Sequence, residues 1–269
     1  MNEIVKSIIL GVVEGVTEFL PISSTGHLII INRFIDFTGP FAKAFDVVIQ
    51  LGAILSVVVY FWKRLIPFGP HLAPEKRRDV WDLWKKTIVG VIPALVLGAL
   101  FGGIIKEYLF NPITVSIALI AGGIVLIYLE GRHKLAEITS VASLGYGKAL
   151  AIGLIQCLAM VPGTSRSAAT IIGAMFLGAS RVVAAEFSFF LAIPTMCAAS
   201  AYSLLKVGRM LTPDELIVLG VGFAVSFIVA LAVIAGFMKF ISRRDFRPFG
   251  YYRIVLGAAV LVYFLIIAG

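Results

Sequence analysis

Apolar runs of about the length that crosses a bilayer recur along this 269-residue chain, and two longer ones are broken by proline. That pattern restricts the fold more than any other feature. Crossing the hydrocarbon core takes about 20 residues of helix, with a range of roughly 17–25. Six runs meet that length or nearly so, at about 45–62, 87–105, 112–130, 183–205, 215–238 and 250–268. Two more, about 4–35 and 148–180, are interrupted, one by Pro21-Ile22-Ser23-Ser24-Thr25-Gly26 and the other by Pro162-Gly163-Thr164-Ser165-Arg166-Ser167. Proline removes a backbone donor and disfavours helix in the residue before it, while the Ser and Thr that follow are good helix caps. Each broken stretch therefore predicts two short helices around a break. Irregular backbone at membrane depth must be buried in protein or line a wet cavity, so both stretches are expected to be re-entrant hairpins.

Composition agrees with an integral membrane protein. The chain is 60% hydrophobic and 14% charged, against roughly 45–50% and about 25% in soluble domains. A net charge of +8 does not argue for nucleic acid, because the Lys and Arg gather in short stretches between apolar runs, as positive-inside loops do. Cys157 and Cys197 lie in apolar segments without metal-ligand spacing and read as packing residues. The N-terminal run carries Glu3 ahead of it and Glu14 and Glu18 within it, and has no clean small-residue cleavage pattern. It is expected to be retained rather than removed as a signal peptide.

The two broken stretches resemble one another. Gly11 and Glu14, then Pro21 to Thr25, match Gly153 and Gln156, then Pro162 to Arg166, offset by 142 and then 141 positions. The order continues with Ala44-Phe45-Asp46 against Glu186-Phe187-Ser188, and with Phe110-Asn111-Pro112 against Phe246-Arg247-Pro248. The prediction is an all-α membrane protein with six spans and an inverted-topology repeat within one membrane domain. The halves cover about 1–135 and 145–269, each with one re-entrant hairpin and three spans. An odd number of spans turns the second half over, and paired breaks of this kind mark a binding site near the midplane. With hairpins that enter and leave on one side, the basic loops at Lys63–Lys86, Arg132–Lys148, Arg181 and Lys239–Arg247 share a face, and only Lys6, Arg33, Lys43, Lys106, Lys206 and Arg209 fall on the other. The rich face is cytoplasmic by the positive-inside rule, and both termini are outside.

Ionisable groups inside membrane segments are costly and mark function by default. Glu14 and Glu18 are four apart and share a helix face. Two carboxylates so close raise a pKa or invite a hard divalent cation, unless they only line a wet cavity or pair with distant basic groups. After Pro21, helix resumes near Ser23 or Ser24, and a new helix start presents unsatisfied amides and positive dipole character to an anion such as phosphate. Ser24 and His27 are candidates for a nucleophile and base, or His27 could itself attack phosphorus or protonate a leaving group. Ser23 and Thr25 could instead simply cap the helix. At the second break Arg166, among Gly163, Thr164, Ser165 and Ser167, offers a guanidinium that matches a phosphate geometrically, with a buried pair to Glu14, Glu18 or Glu186 as the structural alternative. Gln156 is the counterpart of Glu14 and is expected to face the same cavity. Asp46, Gln50 and Glu186 read as intramembrane hydrogen-bond partners. Residues alone reach a site for a lipid phosphate or diphosphate, and a transporter of such a lipid competes with an enzyme.

The run from Glu14 to His27, together with Pro162–Ser167, Phe110-Asn111-Pro112 and Ala185–Phe189, resembles the undecaprenyl-diphosphate phosphatase family, also called the bacitracin-resistance membrane proteins. The resemblance extends over nearly the whole chain. It implies a multi-pass enzyme of the bacterial cytoplasmic membrane, opening outward, that removes the terminal phosphate of a polyprenyl diphosphate and regenerates the carrier lipid for peptidoglycan. It implies essential roles for Glu14, Glu18, Ser24, His27 and Arg166. Around them Ser23, Thr25, Gly163, Thr164, Ser165 and Gln156 are expected, from their places at the two breaks, to bind the substrate. The resemblance further implies a divalent cation, magnesium or calcium, at Glu14 and Glu18. Dimers occur in the family, although nothing in this sequence specifies one.

Overall fold

The computed structural model describes residues 1–69, 73–132, 136–207 and 211–267. Lys134 and Arg209, which enter the charge bias above, lie outside these residues, as do Leu135 at the expected end of the first half and Ala268 at the end of the last span. Helices account for nearly all regular structure, in the order α1 (Glu3–Thr17), α2 (Ser24–Ile35), α3 (Pro40–Tyr60), the single turn α4 (Trp62–Leu65), α5 (Pro74–Leu109), α6 (Pro112–Gly131), α7 (Tyr146–Gln156), α8 (Arg166–Phe176), α9 (Arg181–Val207), α10 (Pro213–Ile241) and α11 (Arg247–Val262). Among the described residues, six helices are long and apolar enough to cross a membrane: α3, α5, α6, α9, α10 and α11. They coincide with the six runs in the sequence. By contrast α1, α2, α7 and α8 have 15, 12, 11 and 11 residues, short of the roughly 20 a crossing needs.

Local chemistry accounts for where these helices start. Asn111 accepts from the Thr114 amide ahead of Pro112 in α6, and Thr212 and Glu215 form a reciprocal capping box around Pro213 in α10. Pro at the first helical position is preorganised and sacrifices no needed donor. The spans differ in depth within the fold. In their most apolar windows 67% of α9 and 56% of α3 is buried, against 17% of α5 and 22% of α11. The first two therefore form the centre, and the others turn apolar faces outward, as lipid-facing helices must.

Packing then sets the neighbours. α1 lies on α10, α7 on α5, α3 on both α9 and α10, and α6 on α11. A phenylalanine-rich core of Phe19, Phe61, Phe187, Phe189, Phe190, Phe237 and Phe246 fills the centre, and a second cluster around Leu10, Leu28, Phe45 and Ile49 seals α1 against α2, α3 and α10. Edge-on contacts such as Phe19–Phe189, with centroids 5.1 Å apart, anchor the first break against α9. Toward the basic loops, Arg64 pairs with Glu186. Buried Glu130 accepts from Arg181 and, at 2.9 Å, from the backbone amide of Phe246. These ties link α4 to α9, and α6 to α9 and the start of α11, and they engage Glu186 with Arg64 rather than with Arg166.

Candidate active site

Both breaks are built in the same strained way. Ser23 and Ser165, each the residue before a helix start, have φ of 73° and 69°. A positive φ is uncommon for a residue with a Cβ and persists only where the surroundings impose it. Each side chain turns back to cap its own helix. Ser23 Oγ accepts from the Gly26 amide at 3.3 Å, and Ser165 Oγ from the Ala168 amide at 3.2 Å. The two strained caps are 142 positions apart, so Ser24 corresponds in position to Arg166, and the expected slip to an offset of 141 does not hold for the helix starts.

Across the breaks the groups converge on Glu18, which ends α1. Its Oε2 accepts from Ser24 Oγ at 2.6 Å, and its Oε1 accepts from Arg166 Nη2 at 2.7 Å. Arg166 also donates from Nη1 to the Ser188 carbonyl at 2.9 Å, and its Nε has no partner. Ser167 Oγ adds a second tie by donating to the Leu20 carbonyl at 2.9 Å. A cavity of about 260 Å³ opens beside this constellation, lined among others by Glu18, Ser23, Ser24, Thr25, Gln50, Gln156, Gly163, Ser165 and Arg166. The N-termini of α2 and α8 both reach it, so two positive dipole ends, one guanidinium and several hydroxyls face one space suited to a compact polyanion.

Not every expected residue is in that space. Thr164 does not line it and instead offers its carbonyl elsewhere. His27 is turned toward α11, with Nδ1 bonded to the Ser23 carbonyl and Nε2 to the Tyr252 hydroxyl, both at 2.7 Å. The carboxylate in contact with Ser24 is therefore that of Glu18, and His27 bonds instead to the carbonyl of the strained Ser23. Glu14 is fully buried behind Glu18, with no hydrogen bond to either of its oxygens. The adjacent carboxyl of Glu18 can bond to it only if one of the two carries a proton. Among the described residues no three His, Cys, Asp or Glu side chains converge to hold a metal ion. Both Glu18 oxygens are already engaged, whereas Glu14 presents two unpaired buried acceptors. The donor set thus suits a hard cation on the Glu14 side more than one shared evenly by the pair.

Sequence reasoning missed Arg253. This residue of α11 is completely buried, and its guanidinium donates to five backbone carbonyls. Nη1 reaches Pro21 at 3.1 Å in the first break, Nη2 reaches Gly163 at 3.2 Å and Thr164 at 3.0 Å in the second, and the remaining bonds go to Ala118 and Leu119 of α6. One side chain thereby clamps both breaks to a span. Its signal was an Arg within an apolar run, which carries the same cost that singled out Arg166.

A model of the family described as bacitracin resistance protein BacA matches residues 7–259. Undecaprenyl-diphosphatase 1 of Clostridioides difficile is 51% identical over 267 residues, covering 98% of this chain and 97% of its own. The undecaprenyl-diphosphatase of Fusobacterium nucleatum is 52% identical over 265 residues, with 95% and 98% covered. That of Acetivibrio thermocellus is 47% identical over 269 residues, with 98% and 99% covered.

Proposed function

Because this chain belongs to the bacitracin resistance protein BacA family, we propose that it hydrolyses the terminal phosphate of undecaprenyl diphosphate in the bacterial cytoplasmic membrane. Undecaprenyl phosphate is released for another round of peptidoglycan synthesis, and rapid removal of the diphosphate confers resistance to bacitracin. The chain is a membrane-bound phosphatase, and the bond it breaks is a phosphoanhydride. The observation that carries the reading is Glu18 holding the Ser24 hydroxyl and the Arg166 guanidinium together across the two breaks.

Phosphoryl transfer depends mostly on positioning and on charge placed where it develops. With the diphosphate in the cavity, Arg166 and the first amides of α2 and α8 surround the terminal phosphoryl group. Ser24 Oγ attacks phosphorus while its proton passes to Glu18 Oε2. The bond to the bridging oxygen breaks, and the electron pair leaves with undecaprenyl phosphate. Glu18 returns the proton to solvent. Water then attacks the phosphoserine, giving a proton to Glu18, and Ser24 regains its hydroxyl as inorganic phosphate departs. Gln156, Ser23, Thr25, Gly163 and Ser165 shape the cavity around the phosphates, and Thr164 acts from behind through its carbonyl. His27 positions Ser23. A divalent cation, magnesium or calcium, would be held by Glu14 beside Glu18, where it would supply positive charge behind the carboxylate.

The proposal includes two inverted halves, about 1–135 and 145–269, in one membrane domain with re-entrant hairpins α1–α2 and α7–α8. Several features support it. The hairpin helices are too short to cross, α1 lies on α10 as α7 lies on α5, and Gly11 meets Gly222 as Gly153 meets Gly90. An outward, periplasmic opening is supported by the cavity's contact with Ala94, Gly98 and Phe110, which run from the middle of α5 to just past its C-terminal end, away from the basic first turns of that helix at Lys76–Lys86. The proposed arrangement needs no partner chain, although a homodimer is compatible with it.

Purified protein in detergent, given undecaprenyl diphosphate, should release phosphate. Ser24→Ala and Glu18→Gln should lower kcat by about a thousandfold or more, as loss of a nucleophile or its base does. Undiminished release from both variants would refute the assignment.

A further inference from the structure

A second cavity, of about 410 Å³, lies between α4, the first turns of α5 and the segment at Val141 and Ala142, and it shares no lining residue with the phosphate cavity. α5 has 36 residues, about 54 Å at 1.5 Å per residue, against a hydrocarbon core about 30 Å thick. Its charged first turns extend past the apolar run that begins near residue 87 and reach headgroup level, where α3 has just ended at Tyr60. All three tryptophans of the chain, Trp62, Trp81 and Trp84, belong to α4 and these turns. Trp62 and Trp81 are exposed, as is Phe68, which meets Trp81 edge-on. Trp84 donates from Nε1 to the Leu65 carbonyl at 2.7 Å and so ties α5 to α4. Indole rings gather at the membrane–water interface, where one end is apolar and the other wet.

The lining brings Lys63, Arg64, Lys76 and Lys86 together with Asp79 and Asp82. Two of the cations are already matched, Arg64 by Glu186 of α9 and Lys86 by Asp82 at 2.5 Å. Lys86 is buried, and a bond of 2.8 Å to the Ala142 carbonyl fixes its ammonium further, which leaves one of its three donors unused. Among the described residues Lys63 and Lys76 have no ion pair, and neither does Asp79. Two free cations against one free carboxylate give an excess of one positive charge. A phosphodiester carries one negative charge and accepts charge-assisted bonds from ammonium groups. Basic cavities beside membrane spans suit anionic headgroups. A soluble phosphate ester would satisfy the lysines but has no use for the exposed rings, whereas acyl chains can lie along the outward face of α5 at Ile88, Ile92 and Leu95. We propose that this cavity holds the headgroup of one anionic phospholipid of the phosphatidylglycerol type, with Lys63, Lys76 and Lys86 on its phosphodiester and Trp62, Phe68 and Trp81 beside its glycerol backbone. The lipid joins α4 and α5 to the segment between α6 and α7.

The test titrates lipid-stripped, full-length protein in dodecyl maltoside with phosphatidylglycerol brominated on its acyl chains. Quenching of tryptophan fluorescence reports the site, because every tryptophan stands beside it. Brominated phosphatidylethanolamine provides a parallel titration, sn-glycerol 1-phosphate a competitor, and native mass spectrometry the number of lipids retained. Saturable quenching with one phosphatidylglycerol per chain is expected, with an affinity at least about tenfold above that for phosphatidylethanolamine. Lys63→Glu with Lys76→Glu should weaken binding at least about tenfold, and the corresponding Gln pair by less. Arg243→Glu with Arg244→Glu makes the same charge change past the end of α10 and should alter binding less than about threefold. A monodisperse gel-filtration peak checks the fold of each variant. Equal quenching by the two lipids, or equal weakening by the two Glu double variants, would overturn the site in favour of general attraction to a basic surface. Displacement by glycerol 1-phosphate at the lipid's own concentration would overturn the lipid as occupant in favour of a soluble phosphate ester.

Discussion

Removing the Arg253 clamp tests whether the two breaks are held or merely adjacent. Arg253→Met keeps the volume of the side chain and deletes its donors. The carbonyls of Ala118 and Leu119 lie within α6 and keep their helical partners, whereas those of Pro21, Gly163 and Thr164 have no backbone donor in the structure. An unsatisfied buried acceptor costs about 1–3 kcal/mol, so three of them put the gross loss at roughly 3–9 kcal/mol. Part returns, because a buried guanidinium without a carboxylate partner carries its own desolvation penalty, and because Gly163 borders the cavity, where water can reach it. A net loss of about 3 kcal/mol follows. The effect on rate has a different origin. Misplacing aligned groups by about 1 Å costs on the order of a hundredfold, so kcat should fall by that factor with a smaller change in KM. Arg253→Lys keeps the charge but, as a compact ammonium, cannot reach both breaks with the geometry of a planar fork. It should fall between wild type and Arg253→Met. Unfolding in mixed micelles followed by tryptophan fluorescence, with phosphate release on the same preparations, gives both quantities. Stability within about 1 kcal/mol and kcat within threefold of wild type for Arg253→Met would refute the reasoning.

Other perturbations address single contacts. Arg166→Lys loses the planar donor set that reaches Glu18 and the Ser188 carbonyl together, and steady-state phosphate release should drop by about 10³-fold, the lower range for loss of a transition-state arginine. Gly163 has φ of +91° and would place a Cβ against the Val115 backbone of α6, so Gly163→Ala should destabilise by about 2 kcal/mol or more in an unfolding titration. Tyr252→Phe removes the hydroxyl that meets His27 Nε2 at 2.7 Å. If His27 acts by positioning, the variant should lower kcat less than tenfold and leave its pH profile unmoved, whereas a shifted profile would make His27 a proton-transfer group.

The spans, the two breaks and the family were legible in the residue order, because each depends on local properties. Hydropathy over about 20 residues decides what can cross a bilayer, and a proline followed by Ser and Thr decides where a helix stops and another starts. The cost of Glu14, Glu18 and Arg166 in an apolar setting also showed that partners must exist. Which partners they have was decided by tertiary structure alone. Glu18 takes both Ser24 and Arg166, which leaves the buried Glu14 oxygens without a donor. Glu186 goes to Arg64, His27 faces Tyr252, and Arg253 joins carbonyls separated by more than a hundred positions in the chain. Each pairing depends on how helices from different parts of the chain rotate and slide against one another, and that register is set by packing around α3 and α9. An isolated run of residues carries the cost of a buried charge, whereas its compensation lies in a neighbour that only the folded chain supplies.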